Sequence, residues 1–576
     1  MNKLRYLSPL LILFIVCCKN RQNPEKKIIV QATAESKYGC APQVTDATWY
    51  TKNNKAPLFD GLNAVHYPIT TQNSEVQKYF DQGLLLAYGF NHAEAARSFY
   101  YATKLDPDCA MCYWGYAYVL GPNYNAGMED DNYQRAYKAI KMANELKDNA
   151  TAKEKALITA MTYRYAEKPV ENRDELDLAY SDAMKKVSAA YPDDTEINTI
   201  YAESIMNLHP WDLYDKNGLP RPWALEIENL LEKILAINPK HPGANHFYIH
   251  AVEMSDTPER AYQSAKVFDD GLASGAGHLV HMASHVYIRT GDYHKGTLAN
   301  INAIAADSTY VTKCHAQGAY PLAYYPHNYH FLAATATLEG NSKWAMIGAH
   351  KVSEHVHPDI MKEIGWGTLQ HYYVIPYYVA VKLGQWDAIL DMKLNSYNLP
   401  YIQAIQHYTE GIAHLRKNNL LKSKESLSKL DKLKSNETLK EVTIWDINST
   451  SDLVNIAQKV LLGEIMAEEG KFAAGIAVLQ EAVALEDRLN YNEPPDWFFS
   501  VRHHLGAVQI EAGLYTDAIQ TYHKDLERLP KNGWAQHGLK LAYEKLNDHE
   551  KAAQMKLLLK KSWATADIEI SGSRIK

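Results

Sequence analysis

Residues 79–107 read YFDQGLLLAYGFNHAEAARSFYYATKLDP, and this stretch decides the fold. Gly83 stands in its first half; Ala95, Phe99 and Ala102 follow at helical spacing in its second. Small residues at such positions let two helices cross closely, and a large one fills the gap beside them. Gly89-Phe90-Asn91-His92 falls at the turn between the halves, and Pro107 closes the unit, because proline cannot continue a helix. The reading is a pair of antiparallel helices.

The same register recurs far along the chain, with Gly506, Gly513, Tyr515, Ala518, Tyr522 and Pro530. Partial copies stand at Tyr287-Gly291-Tyr293, Gly340-Ala345-Ala349, Gly384-Trp386 and Gly470-Phe472-Ala482. A tetratricopeptide (TPR) unit is two helices in about 34 residues, so these copies predict an all-α, α-solenoid fold of TPR-like helix-turn-helix repeats. No sustained alternation of β-branched residues competes with it. The chain of 576 residues is too long for one compact core and suits units that touch only their neighbours. The expected division is N-terminal repeats over 61–240, histidine-rich central repeats over 241–400 and C-terminal repeats over 401–576. Irregular loop insertions are expected at 121–132, 208–223 and 491–497, and long loops on a repeat scaffold often gather on one face and carry function.

The first residues show a basic start, an apolar run over 7–16 and then Cys17-Cys18. Such a run is a signal peptide, too short for the ~20 residues a spanning helix needs. Because it stops at cysteines, we expect a lipoprotein signal over 1–17 and lipidation of Cys18, which follows the smaller Cys17 rather than Val16. Residues 18–60 then read as a polar tether. The expected location is the cell envelope, with the chain anchored to the membrane by lipid alone. Of the other cysteines, Cys40, Cys109, Cys112 and Cys314, only Cys109 and Cys112 are close; they read as a local disulfide or as two buried thiols. No histidine follows Cys112, so a c-type haem site is excluded.

A net charge of −7 without a basic block argues against a nucleic-acid partner. Forty tyrosines against 11 phenylalanines suit a half-wet inner groove. The sequence has no Gly-x-Ser-x-Gly elbow, no phosphate loop, no dinucleotide fingerprint and no His-Glu-x-x-His, so the enzyme classes that depend on them are set aside.

Fourteen of the 24 histidines lie between His241 and His371. His246, His250 and Glu253 fall within roughly 60° of arc on a helix, and imidazoles one turn apart are a metal-binding pair. Glu253 reads as a ligand, a bridging or outer carboxylate, or a catalytic base. His278, His281 and His285 share another helical face, and His327 and His330 a third. Equivalent helices of successive repeats line one groove, so these seven histidines and one carboxylate are expected to converge on one cavity and hold one or two divalent transition-metal ions: zinc, iron or copper.

The strings Tyr79-Phe80-Asp81-Gln82-Gly83, Phe90-Asn91-His92-Ala93-Glu94-Ala95, Gly277-His278-Leu279-Val280-His281-Met282 and Tyr491-Asn492-Glu493-Pro494-Pro495-Asp496-Trp497 resemble an uncharacterised bacterial family of exported TPR repeat lipoproteins. The resemblance spans about residues 79 to 545. It implies the fold and adds no reaction, substrate or cofactor. Two functions are therefore expected from the residues. The first is a membrane-anchored scaffold that holds a peptide or protein partner in its concave groove. The alternative is a metal-dependent enzyme, oxidative or hydrolytic, built on the histidines.

Overall fold

In the computed structural model, the stretch that opened the sequence reading forms helices Ser74–Tyr88 and His92–Leu105. Asn73 starts the first by accepting the Glu75 N–H. A Cβ at Gly83 would lie 2.8 Å from the Phe99 ring, and one at Gly115, on the following helix Ala110–Leu120, 2.4 Å from it. Phe99 therefore fills the space between three helices that only glycine allows to come this close. Cys109 and Cys112 pair as a disulfide at the start of the third.

The description covers residues 47–576 except 53, 171, 217 and 315–319. The signal segment 1–17, Cys18 and Cys40 lie outside it, as does the tether up to residue 46. The remainder of the expected tether differs from that expectation, because residues 54–60 pack on the first helix pair. Tyr79 Oη donates to the Ala56 carbonyl at 2.9 Å, and Gln82 Nε2 to the Pro57 carbonyl at 2.9 Å. Buried Ala56 and these satisfied backbone groups hold a polar sequence that has no helical period of its own.

The described residues from 47 on make one compact unit, an all-α solenoid of TPR-like helix pairs. Near its far end the packing rule of the first pair returns. Gly506 on helix Arg502–Glu511 and Gly538 on helix Gly533–Lys545 both face the Tyr522 ring of helix Tyr515–Arg528; an added Cβ would sit 2.4 and 2.3 Å from it. Among the described residues, strand is confined to a short antiparallel pair, Thr443–Ile444 with Asn448–Ser449. No described helix is long and apolar enough to cross a membrane.

Many tyrosines are core residues rather than groove lining. Tyr88, Tyr118, Tyr287, Tyr372 and Tyr522 are among the largest fully buried side chains. Their hydroxyls often end on carboxylates: Tyr88 donates to Glu196, Tyr118 to Glu203 and Tyr287 to Asp269. A ring with one polar tip packs between helices and still satisfies its oxygen. The later repeats also return to the middle of the chain. Tyr293 Oη donates to the Pro530 carbonyl at 2.7 Å, and Trp534 Nε1 to the Thr337 carbonyl at 3.0 Å.

Candidate metal centre

His246 and His250 sit one turn apart on helix Pro242–Val252, which His241 caps and Pro242 begins. His278 and His281 come from the short helix Gly277–His281, and His285 from helix Ala283–Thr290 directly after Met282. His327 and His330 lie on helix Tyr325–Leu338, entered through a π-turn over Tyr320–Tyr324. A π-turn shifts the register of the residues that follow and is frequent at functional sites.

The seven histidines do not share a single centre. They form two groups of three, with one left over. His246, His250 and His278 bring one ring nitrogen each within 4.8 Å of one another, and His281, His285 and His327 do the same. His246, His250, His278, His281 and His285 are buried; His327 retains partial exposure. His330 stands apart, 6.3 Å by ring centroid from His327 and 5.4 Å from His371, a histidine the spacing argument did not select.

The hydrogen bonds assign the protons. His250 Nδ1 lies 2.6 Å from Glu253 Oε1, and His285 Nδ1 lies 2.6 Å from Glu253 Oε2, so each ring donates to one oxygen of the same carboxylate. His246 Nδ1 donates to the Tyr88 carbonyl at 2.5 Å. His281 Nδ1 lies 2.8 Å from Asn300 Oδ1, and Asn300 is oriented by Nδ2 donating to the Gly296 carbonyl at 2.7 Å. With its hydrogen on Nδ1, each of these rings presents a bare lone pair at Nε2.

Those lone pairs face one another. His281 Nε2 and His285 Nε2 are 3.0 Å apart, although both rings have their hydrogen at Nδ1. In the other group His278 Nε2 is 3.2 Å from His246 Nε2, while buried His250 Nε2 and His278 Nδ1 have no hydrogen-bond partner. At His281 and His285 two lone pairs at that distance repel unless a cation lies between them, whereas His278, with its Nδ1 unpartnered, can carry its hydrogen on Nε2 and donate it to His246. Burial, reinforced by the neighbouring imidazoles, holds His246, His278 and His327 far below the ordinary histidine pKa; burial also lowers His281, with His285 adding to the effect. A positive charge on those four rings is thus poorly supplied by protonation, and the neutral imidazole is the form that ligates a metal. The arrangement fits a metal bound by three imidazoles in each group. The outer partners are those such ligands use: a carboxylate, a backbone carbonyl, an amide oxygen and a tyrosine, Tyr372, whose Oη is 3.3 Å from His327 Nδ1.

Glu253 is fully buried, and the two imidazoles hold its carboxyl far below the usual range against the opposing effect of burial. Both oxygens are engaged with ring Nδ1 atoms. That is the geometry of an outer partner shared by the two groups, one of the roles the sequence left open.

Aromatic side chains wall the centre. Phe90 lies 4.6 Å by centroid from His246, and Phe331 4.7 and 4.5 Å from His281 and His285. Tyr124 and Trp211 close on His250 at 5.4 and 5.8 Å, Trp445 on His327 at 6.0 Å, and Tyr491 Oη reaches Glu253 Oε2 at 3.4 Å. Tyr124, Trp211 and Tyr491 belong to the three loop insertions, so all three loops meet at this centre. Phe90, Trp211 and Trp445 have φ of 53°, 58° and 52°. Aromatic residues rarely adopt that conformation, and strain of this kind concentrates at functional sites. Phe90, Asn300, Tyr372, Trp445 and the Tyr88 carbonyl carry no sequence signal of their role; their places follow only from packing.

No protein-family model matches the chain, and no curated protein matches it. Among solved structures, the chain is similar to the APC/C hetero-tetramer Cut9-Hcn1, at 11% identity over 86% of this chain and 76% of that one, with a TM-score of 0.31. It is similar to the human IFIT1 dimer with PPP-AAAA at 12% identity, over 90% and 98% of the two chains, with a TM-score of 0.31. The P58(IPK) TPR domain gives 13% identity over 83% and 100%, with a TM-score of 0.19. Likeness at this level carries no argument for a site or an activity.

Proposed function

We propose that the protein is a metal-dependent enzyme that holds two late first-row transition-metal ions, copper before zinc or iron, in adjacent three-imidazole sites, and that its chemistry is oxidative. The observation that carries this reading is the approach of His281 Nε2 to His285 Nε2 at 3.0 Å with both hydrogens committed elsewhere. An all-imidazole donor set suits copper, zinc, iron and nickel rather than magnesium or calcium, and copper binds such sites most tightly. Three protein donors leave a coordination position open, the habit of catalytic rather than structural sites. Among the described residues the carboxylate touching these rings is Glu253, and both its oxygens accept ring N–H groups, which favours the oxidative reading over hydrolysis. A bound redox metal would supply electron transfer to a substrate or to oxygen. The chain's own residues bury most of the imidazoles and fix the tautomers of His246, His250, His281 and His285.

The test is element analysis of protein expressed with copper, zinc and iron supplied. At least two ions per chain are expected, with loss when His246 and His250 are both changed to alanine. A metal-free protein from metal-replete cells would overturn the proposal. The copper-loaded protein should also take up oxygen in the presence of a reductant and lose that activity in the same double variant.

Export and lipid anchoring at Cys18 belong to this proposal on the strength of the leader sequence, and the Cys109–Cys112 disulfide suits an oxidising compartment. A second reading, the repeat array as a scaffold for a protein partner, is favoured by the exposed apolar side chains Leu546, Leu557 and Leu558 on and beside the last helix pair.

A further inference from the structure

His330 is 3% exposed, and neither of its ring nitrogens has a hydrogen-bond partner. His371, on helix Gly367–Lys382, is fully buried; its Nδ1 is 2.8 Å from Tyr401 Oη, while its Nε2 is likewise unpartnered. An orphaned buried nitrogen is costly, and native structures answer it with water or an ion. Here three such nitrogens occur on two neighbouring rings, and among the described residues no carboxylate pairs with either.

The two rings repeat the geometry of the three-histidine groups. His330 and His371 have centroids 5.4 Å apart at 79°. Within the groups, His281 and His285 stand 4.9 Å apart at 81°, and His246 and His278 5.0 Å apart at 80°. Edge-to-face imidazoles at this separation can turn one nitrogen each toward a common point. The rings are held in place: Phe498 stacks on His330 at 5.0 Å and 10°, and the Tyr401 hydroxyl anchors the far nitrogen of His371, as outer partners do for ligating histidines.

We infer that His330 and His371 form a third metal site, for a cation of the same late transition class. It lies one helical turn from His327 and so abuts the second group. Two protein donors leave two or more positions to water or to a small anionic or neutral ligand, making it the most open site of the three. The eight imidazoles are then divided three, three and two. This inference goes beyond the proposed function and stands on rings that the two groups do not use.

The probe is zinc(II) alone, which is redox-silent, applied to the full chain by equilibrium dialysis followed by element analysis. The wild type should retain three ions. His371→Ala and His330→Ala should each retain two, and Tyr401→Phe should retain three with the weakest bound about 10–100-fold more weakly. Two ions in the wild type, unchanged in His371→Ala, would overturn the third site and leave the three-histidine groups standing. No bound zinc would sink both readings. Should either alanine variant fail to fold by circular dichroism, anomalous diffraction at the zinc edge on the wild type decides: density between His330 and His371 supports the site, and its absence there overturns it.

Discussion

Glu253→Gln should weaken metal binding at both three-histidine groups at once. The carboxylate accepts His250 Nδ1–H and His285 Nδ1–H at 2.6 Å each, one per oxygen, and the two histidines belong to different groups. An amide has one oxygen and one NH2, so one of the two rings must then face a donor with its own donor. That ring must break the contact or move its hydrogen to Nε2, the nitrogen needed for the metal. The other ring keeps a bond, but a neutral one, roughly half as strong as the charge-assisted bond it replaces. Hydrogen bonds to charged groups are worth about 1.5–3 kcal/mol each. Loss of an outer partner of this kind usually lowers metal affinity by about 10–100-fold. We expect a drop in that range at one group and a smaller one at the other. Titration of copper(II) or zinc(II) against a competing chelator resolves the two steps, and circular dichroism checks the fold. Unchanged affinity at both groups would refute the argument that Glu253 fixes the tautomers; loss at a single group would refute the shared role.

Metal-free protein should lose stability as pH falls below 6.5, the ordinary histidine value, because the unfolded chain takes up protons that His246, His278, His281 and His327 refuse in the folded state. Each such histidine adds up to about 1.4 kcal/mol per pH unit, so Tm should be steady from pH 8 to 7 and fall steeply by pH 5.5; a flat profile would contradict the buried neutral rings. Gly506→Ala should cost about 1–3 kcal/mol in urea unfolding, since its Cβ would meet the Tyr522 ring at 2.4 Å, and a neutral result would mean the helices part easily there. Cys18→Ser should abolish acylation and release the protein from membranes or trap its precursor, and a variant that still carries acyl chains would move the anchor to Cys17.

The helix pairs were legible because crossing residues obey a local rule. Gly83 with Phe99, and Gly506 with Tyr522, could be recognised from spacing, and the structure packs them against each other. The ligand candidates were legible for a related reason: histidines three or four residues apart share a helical face whatever the tertiary context. What spacing could not give was the division among centres. His278 groups with His246 and His250, while His281, only three residues on, groups with His285 and His327. That split depends on how one short helix lies between two others. His330 faces His371 across a helix packing that no local pattern encodes. The outer partners were hidden because one is a backbone carbonyl, that of Tyr88, and the others, such as Asn300 and Tyr372, are ordinary residues until the fold places them. Forty tyrosines suggested a wet groove, but many are buried, with their hydroxyls turned to carboxylates inside the helix stacks.

The most direct test is anomalous diffraction from crystals of the full chain loaded with copper, recorded on both sides of the copper edge. The account predicts one peak ringed by His246, His250 and His278 and a second ringed by His281, His285 and His327, each with nitrogens at about 2.0–2.1 Å and with Glu253 outside both. Crystals of copper-treated protein with no peak at either group, and with His281 Nε2 and His285 Nε2 turned away from each other onto backbone or solvent, would contradict it.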